Sequence, residues 1–128
     1  MVPEKKYMII LSELCIPANL KGYRYLIYAL SLCIDDISMI DNINKKLYPQ
    51  IANKFSTTKS AVERCIRHAI EISLQRTRPK VIESYFGKHS SRVTSAEFIA
   101  TLAFTMLASE QISVNLNKHE PERKPMYD

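Results

Sequence analysis

An all-α fold of about six helices follows from three features of the sequence. Apolar residues recur at a spacing of about 3.6 residues along most of the chain. No stretch alternates at period two. Two glycines in 128 residues leave few positions for tight hairpin turns and rule out a Gly-rich phosphate loop. The length suits one domain, and 46% apolar residues supply a core that needs no disulfide staples.

The elements read off in chain order. Tyr7, Ile10, Leu11 and Leu14 form the first stripe, which closes at Cys15-Ile16-Pro17 because proline disfavours helix in the residue before it. Lys21-Gly22 opens a second helix with Leu26, Ala29, Leu30, Cys33, Ile34 and Ile37 on one face, and Asp35-Asp36 reads as its charged end. Tyr23, Tyr25 and Tyr28 fall where they pack on the core. A third segment starts after a cap at Asp41-Asn42, with Ile43, Leu47 and Ile51 on one side and Pro49 inside it. The fourth helix turns Val62, Cys65, Ile66, Ala69, Ile70 and Ser73 inward, is capped by Thr57 or Thr58, and ends at Arg78-Pro79.

A short apolar segment over 81–86 stops at Gly87, and residues 88–93, His89 among them, read as a polar loop. The last helix covers about 94–109, with Phe98, Ile99, Leu102, Ala103, Met106 and Leu107 apolar. The expected organisation is one helical domain over 1–111 and a charged flexible tail over 112–128, where two prolines and many charges disfavour packing.

Charge narrows the function. The net charge is +5, and residues 59–80 alone hold six basic side chains against two acidic ones. A basic helix of this kind suits a polyanion. The third and fourth helices are joined by the short polar link Phe55-Ser56-Thr57-Thr58, as in a helix-turn-helix whose second helix enters the major groove. Ala52 is the small residue where the helices cross, and Ile51, Phe55, Val62 and Cys65 pin them. Ser56 stands where such turns usually carry glycine.

The inward face leaves Ser60, Glu63, Arg64, Arg67, His68 and Glu71 on the outside of the fourth helix. Arginine can donate two parallel N–H bonds to guanine, and glutamate can accept from cytosine. Lys54, Lys59 and Arg76 flank this face as candidate phosphate contacts. Against that stands a plain solvated face in which Glu63 and Arg67 form an i,i+4 pair.

The strings Ile51-Ala52-Asn53-Lys54-Phe55 and Val62-Glu63-Arg64-Cys65-Ile66-Arg67-His68-Ala69-Ile70-Glu71 resemble the C-terminal effector domain of the stage 0 sporulation protein A family. Ile16-Pro17-Ala18, Lys21-Gly22-Tyr23, Leu47-Tyr48-Pro49, Phe86-Gly87 and Glu97-Phe98-Ile99-Ala100 extend the likeness in order along the chain. The resemblance implies a six-helix response-regulator effector domain that binds DNA through its fourth helix and regulates transcription in sporulation. It implies base reading by Glu63 and Arg64, a place for Arg67 and His68 in the same reading set by base or backbone contact, and a phosphate-side place for Ser60. It further implies that Thr77, Arg78, Lys80, Glu83 and Phe86 face the sigma subunit of RNA polymerase, and that the last helix pairs two copies on tandem DNA sites.

There are departures. The family's receiver domain, with its phosphorylated aspartate, has no counterpart in these residues, which suits either an excised domain or a standalone protein. Ala61 stands where the family commonly has a basic residue, and the 87–97 loop is shorter than usual.

Other chemistries find little support. Cys65 and His68 lack a second ligand pair at zinc spacing, so neither a metal nor a cofactor is expected. Cys15, Cys33 and Cys65 read as reduced core thiols of a cytoplasmic protein, without a nucleophile–base arrangement, so no enzyme is expected. The longest uncharged stretches, 25–34 and 98–109, are too short for a bilayer. The expected function is therefore sequence-specific reading of double-stranded DNA by a transcription regulator. The alternative is an interaction module that engages the sigma subunit or antagonises a full-length relative.

Overall fold

The computed structural model describes residues 4–88 and 92–123, with side chains through Glu110. His89 and the end of the expected tail, 124–128, lie outside the described residues. Six α-helices and no strand occur among the described residues: α1 (Glu4–Glu13), α2 (Lys21–Asp35), α3 (Tyr48–Lys54), α4 (Lys59–Arg76), α5 (Pro79–Phe86) and α6 (Ser95–Arg123). A 3₁₀ turn (Ile37–Asn42) and a π-turn (Ile43–Leu47) lead into α3.

Helix α2 is the axis of the fold. Its buried Leu26, Ala29, Leu30 and Cys33 meet α4 on one side and α6 on another. Gly22 permits a close approach to α4, because a Cβ there would lie 2.3 Å from the Cys65 carbonyl oxygen and 2.9 Å from the Ala69 Cβ. From α4 come Val62, Ile66, Ala69 and Ile70, and from α6 come Phe98, Ile99, Leu102, Ala103 and Met106. Ile37, expected on the α2 stripe, is exposed, because α2 stops at Asp35 and Ile37 opens the 3₁₀ turn.

Two helices end alike. After α1, the Ile16 amide donates to the Leu11 carbonyl at 3.1 Å and the Cys15 amide to Ser12 at 3.0 Å. After α3, the Thr57 amide donates to Ala52 at 2.9 Å and the Ser56 amide to Asn53 at 3.4 Å. This is the Schellman pattern, which needs one left-handed residue. Cys15 (φ 57°) and Ser56 (φ 54°) supply it without glycine. Cys15 is therefore exposed rather than a core thiol, whereas Cys33 is buried and Cys65 half-buried.

The route into α3 also differs from expectation. Asp36 caps the 3₁₀ turn by accepting from the Ser38 amide at 3.0 Å and its hydroxyl at 2.6 Å. Asn42 makes no such cap, since its side-chain amide donates to the Ser38 carbonyl at 3.3 Å. The Tyr48 amide reaches back five residues to Ile43, which starts α3 immediately before Pro49. Proline then sits in the first turn, where its missing N–H has no helical partner to lose.

Reciprocal bonds open α6: the Thr94 amide donates to Glu97 at 2.9 Å and the Glu97 amide to the Thr94 hydroxyl at 3.1 Å, a capping box. The helix continues to Arg123, well past the expected end near 109, and takes in the backbone of His119. Lys6 of α1 meets Glu110 of α6 at 2.9 Å, and the Tyr85 hydroxyl of α5 donates to Glu13.

Candidate nucleic-acid interface

Helices α3 and α4 form the expected two-helix unit. Ile51, Ala52 and Val62 are buried at the crossing. Phe55 wedges between Tyr25 and Tyr28 of α2, with ring centroids 5.0 and 5.9 Å away. Thr58 caps α4 by accepting from the Ala61 amide at 3.1 Å. The turn is held at both ends, so α4 leaves it in a defined direction.

That direction settles which residues of α4 face out. Arg64 lies opposite the buried Val62–Ile66–Ala69–Ile70–Ser73 face, with Ser60 and His68 one turn before and after it, and all three are exposed. Among the described residues Arg64 makes no ion pair or hydrogen bond within the fold. Glu63, half-buried on the flank, pairs with Lys59 at 3.7 Å and not with Arg67.

Arg67 is committed elsewhere. Its Nη1 donates to the Val93 carbonyl at 3.0 Å, and its Nε lies 3.5 Å from Glu71. The guanidinium thus ties α4 to the residue that leads into α6. A cleft of about 500 Å³ lies between them, lined by Ser60, Glu63, Arg64 and Arg67 on one wall and by Asn44, Ser95 and Ala96 on the other. Tyr48 lines it too, and burial, with the Glu63 charge, pushes its phenol above the usual range and keeps it neutral.

An outward, charged second helix on a helix-turn-helix frame is the arrangement of a DNA reader. The sequence agrees: the model of the family described as Sporulation initiation factor Spo0A C terminal matches residues 8–106. The chain belongs to this family. The Spo0A C-terminal domain is a non-enzymatic, DNA-binding transcription-regulator domain. No helix among the described residues is long and apolar enough to cross a membrane.

Against this Spo0A C-terminal frame, the expected site residues separate into groups. Ser60, Glu63, Arg64 and Arg67 share one cleft, and His68 borders a second small cavity with Arg64, Lys21 and Gly22. Lys59 sits at the start of α4, and Lys54 lies with its Nζ 5.7 Å from the Tyr28 ring centroid. Arg76 stands apart. It is twelve residues, or about 18 Å, beyond Arg64 along the helix, and lines a groove with α1 and Pro17.

The expected sigma-facing set divides as well. Arg78, Lys80 and Glu83 are exposed. Thr77 is buried, its hydroxyl without a hydrogen-bond partner, so its side chain cannot meet a partner protein. Phe86 stacks on Phe98, with centroids 5.0 Å apart, and belongs to the packing between α5 and α6. Sequence reasoning missed Asn44, Ser95 and Ala96. They meet α4 only through the π-turn and the start of α6, and no local pattern in the sequence announces that meeting.

Proposed function

We propose that this chain reads the major groove of double-stranded DNA with the exposed face of α4, acting as a sequence-specific transcription regulator in the sporulation-initiation class. The observation that carries this reading is the exposure of Arg64. It stands at the centre of the outward face, with both of its forked donors available, in a cleft whose other residues are mostly polar. Arginine in that setting suits the O6 and N7 of guanine. Glu63 beside it suits a cytosine amine, and its pairing with Lys59 offsets its repulsion from phosphates. His68 extends the reading face by one turn. Arg67, anchored on Val93, keeps less freedom to reach a base edge and serves chiefly to hold the cleft's two walls together.

Ser60, Lys54 and Lys59 supply phosphate contacts around the read bases, and Arg76 one towards the far end of α4. Arg78, immediately before α5, and Lys80 and Glu83 within it are exposed and open to an RNA polymerase sigma subunit. Pairing on tandem sites would use the outer face of α6 around Phe104, which is 53% exposed, because Phe98 and Leu102 are buried in the core.

The test is a mobility-shift titration over a promoter library at several salt concentrations. The reading expects one or a few sequences to be bound well above the rest, with affinity falling as salt rises. Equal, weak binding to every sequence would favour the interaction module instead.

A further inference from the structure

We propose that the π-turn ahead of α3 provides a second DNA contact, in which Lys45 and Asn44 hold a backbone phosphate outside the reading helix. This rests on the DNA-reading function proposed above and extends its footprint to an element that the helix-turn-helix pattern does not include.

The turn is built to present these side chains. Ile43 and Leu47 are buried at its two ends, and Asn44, Lys45 and Lys46 are exposed between them. Asn44 lines the same cleft as Arg64, Glu63 and Ser60. A neighbouring cavity of about 400 Å³ shares Ile43, Asn44 and Ala96 with that cleft and is lined further along by Lys45. The two form one furrow, running from the reading face of α4 across the start of α6 to the π-turn.

Position then selects among the three exposed residues. Lys46 lines neither cavity. Lys45 lines the furrow at the π-turn. Asp41 and Asn42 line the same cavity. Asp41 repels a phosphate, and Lys45 and Asn44 are the lining side chains that can hold one. In helix-turn-helix proteins the first helix crosses the sugar-phosphate backbone. The π-turn is the entry to that first helix, on the side where Arg64 reads. A double-stranded DNA backbone is therefore the occupant that fits the place, the charge and the furrow.

The experiment uses the full chain and two duplexes of equal length, one carrying the sequence the protein selects from random DNA and one unrelated to it. Affinity is measured against salt for the wild type, Lys45→Gln, Lys45→Arg, Asn44→Ala and Lys46→Gln. Loss of one phosphate contact flattens the log–log salt slope by about 0.9. Lys45→Gln should show that change and weaken both duplexes by the same factor, and Lys45→Arg should restore the wild-type slope. Asn44→Ala should weaken both without altering the slope, and Lys46→Gln should leave slope and affinity near wild type. An unchanged slope in Lys45→Gln, or an equal loss in Lys46→Gln, overturns the π-turn contact while the reading by α4 stands. Failure of the wild type to bind either duplex overturns the DNA reading, and this contact with it.

Discussion

The Arg67 guanidinium on α4 donates to the backbone carbonyl of Val93, 26 residues away, at 3.0 Å. One bond thus joins α4 to the segment that begins α6, and it divides two arginines that the sequence places on the same outward face. Arg64 points to solvent, whereas Arg67 holds the scaffold.

Arg67→Ala should therefore lower stability by about 1 kcal/mol, a charge-assisted bond discounted because the side chain is 36% exposed. The preferred DNA sequence should stay the same while affinity falls. Chemical denaturation paired with site selection checks both parts. A changed base preference in this variant would return Arg67 to the reading set.

Gly22→Ala tests the helix crossing. Alanine is the better helix former by about 1 kcal/mol, but its Cβ would meet backbone of α4 at 2.3 Å. Backbone cannot swing aside as a side chain can, so the helices must move apart. A net loss of about 1–3 kcal/mol is expected. A denaturation midpoint at or above the wild-type value would show that α2 and α4 tolerate a wider crossing.

Ser56→Gly should act in the opposite direction. The left-handed conformation costs a non-glycine residue about 1–2 kcal/mol, and the greater freedom of glycine in the unfolded chain cancels about 0.4–1 of that. With φ at 54°, a gain of about 0.5–1 kcal/mol is expected, and thermal unfolding measures it. Loss of stability would mean that the serine side chain contributes more than its backbone costs.

The capping box at α6 carries a pH dependence. Hydrogen bonding with Thr94 holds the Glu97 carboxyl below its ordinary value of 4.5. A depressed folded pKa gives stability that is present above 4.5 and lost as pH falls through the lower folded value. Glu97→Gln should flatten the acid limb of a melting-temperature profile in that window. Parallel acid limbs for the two proteins would remove Glu97 from the account.

What the sequence made legible follows the strength of its periodicity. α4 could be read closely, because its inward Val62, Ile66, Ala69 and Ile70 are spaced without interruption. The exposed face then followed by geometry, and with it Ser60, Arg64 and His68. The approach to α3 could not be read, since a 3₁₀ turn, a π-turn and a short α-helix share one apolar pattern through Ile43, Leu47 and Ile51. Cys15 sat in an apolar run, yet the helix stop put it in the left-handed position and turned it to solvent. Thr77, expected to face the sigma subunit, is buried, and Phe86 is half-buried on Phe98. Both depend on tertiary packing, which no local pattern encodes.

The most direct measurement is selection of binding sites from random duplex DNA by the wild type, Arg64→Ala, Arg64→Lys and Glu63→Ala. The account predicts a preferred site in which Arg64→Ala relaxes one guanine at a cost of about 1–3 kcal/mol. Arg64→Lys should relax it too, because an ammonium lacks the planar fork, and Glu63→Ala should relax a neighbouring cytosine while non-specific affinity rises. Identical selected sequences from all four proteins would contradict it, and α4 would not be the helix that reads bases.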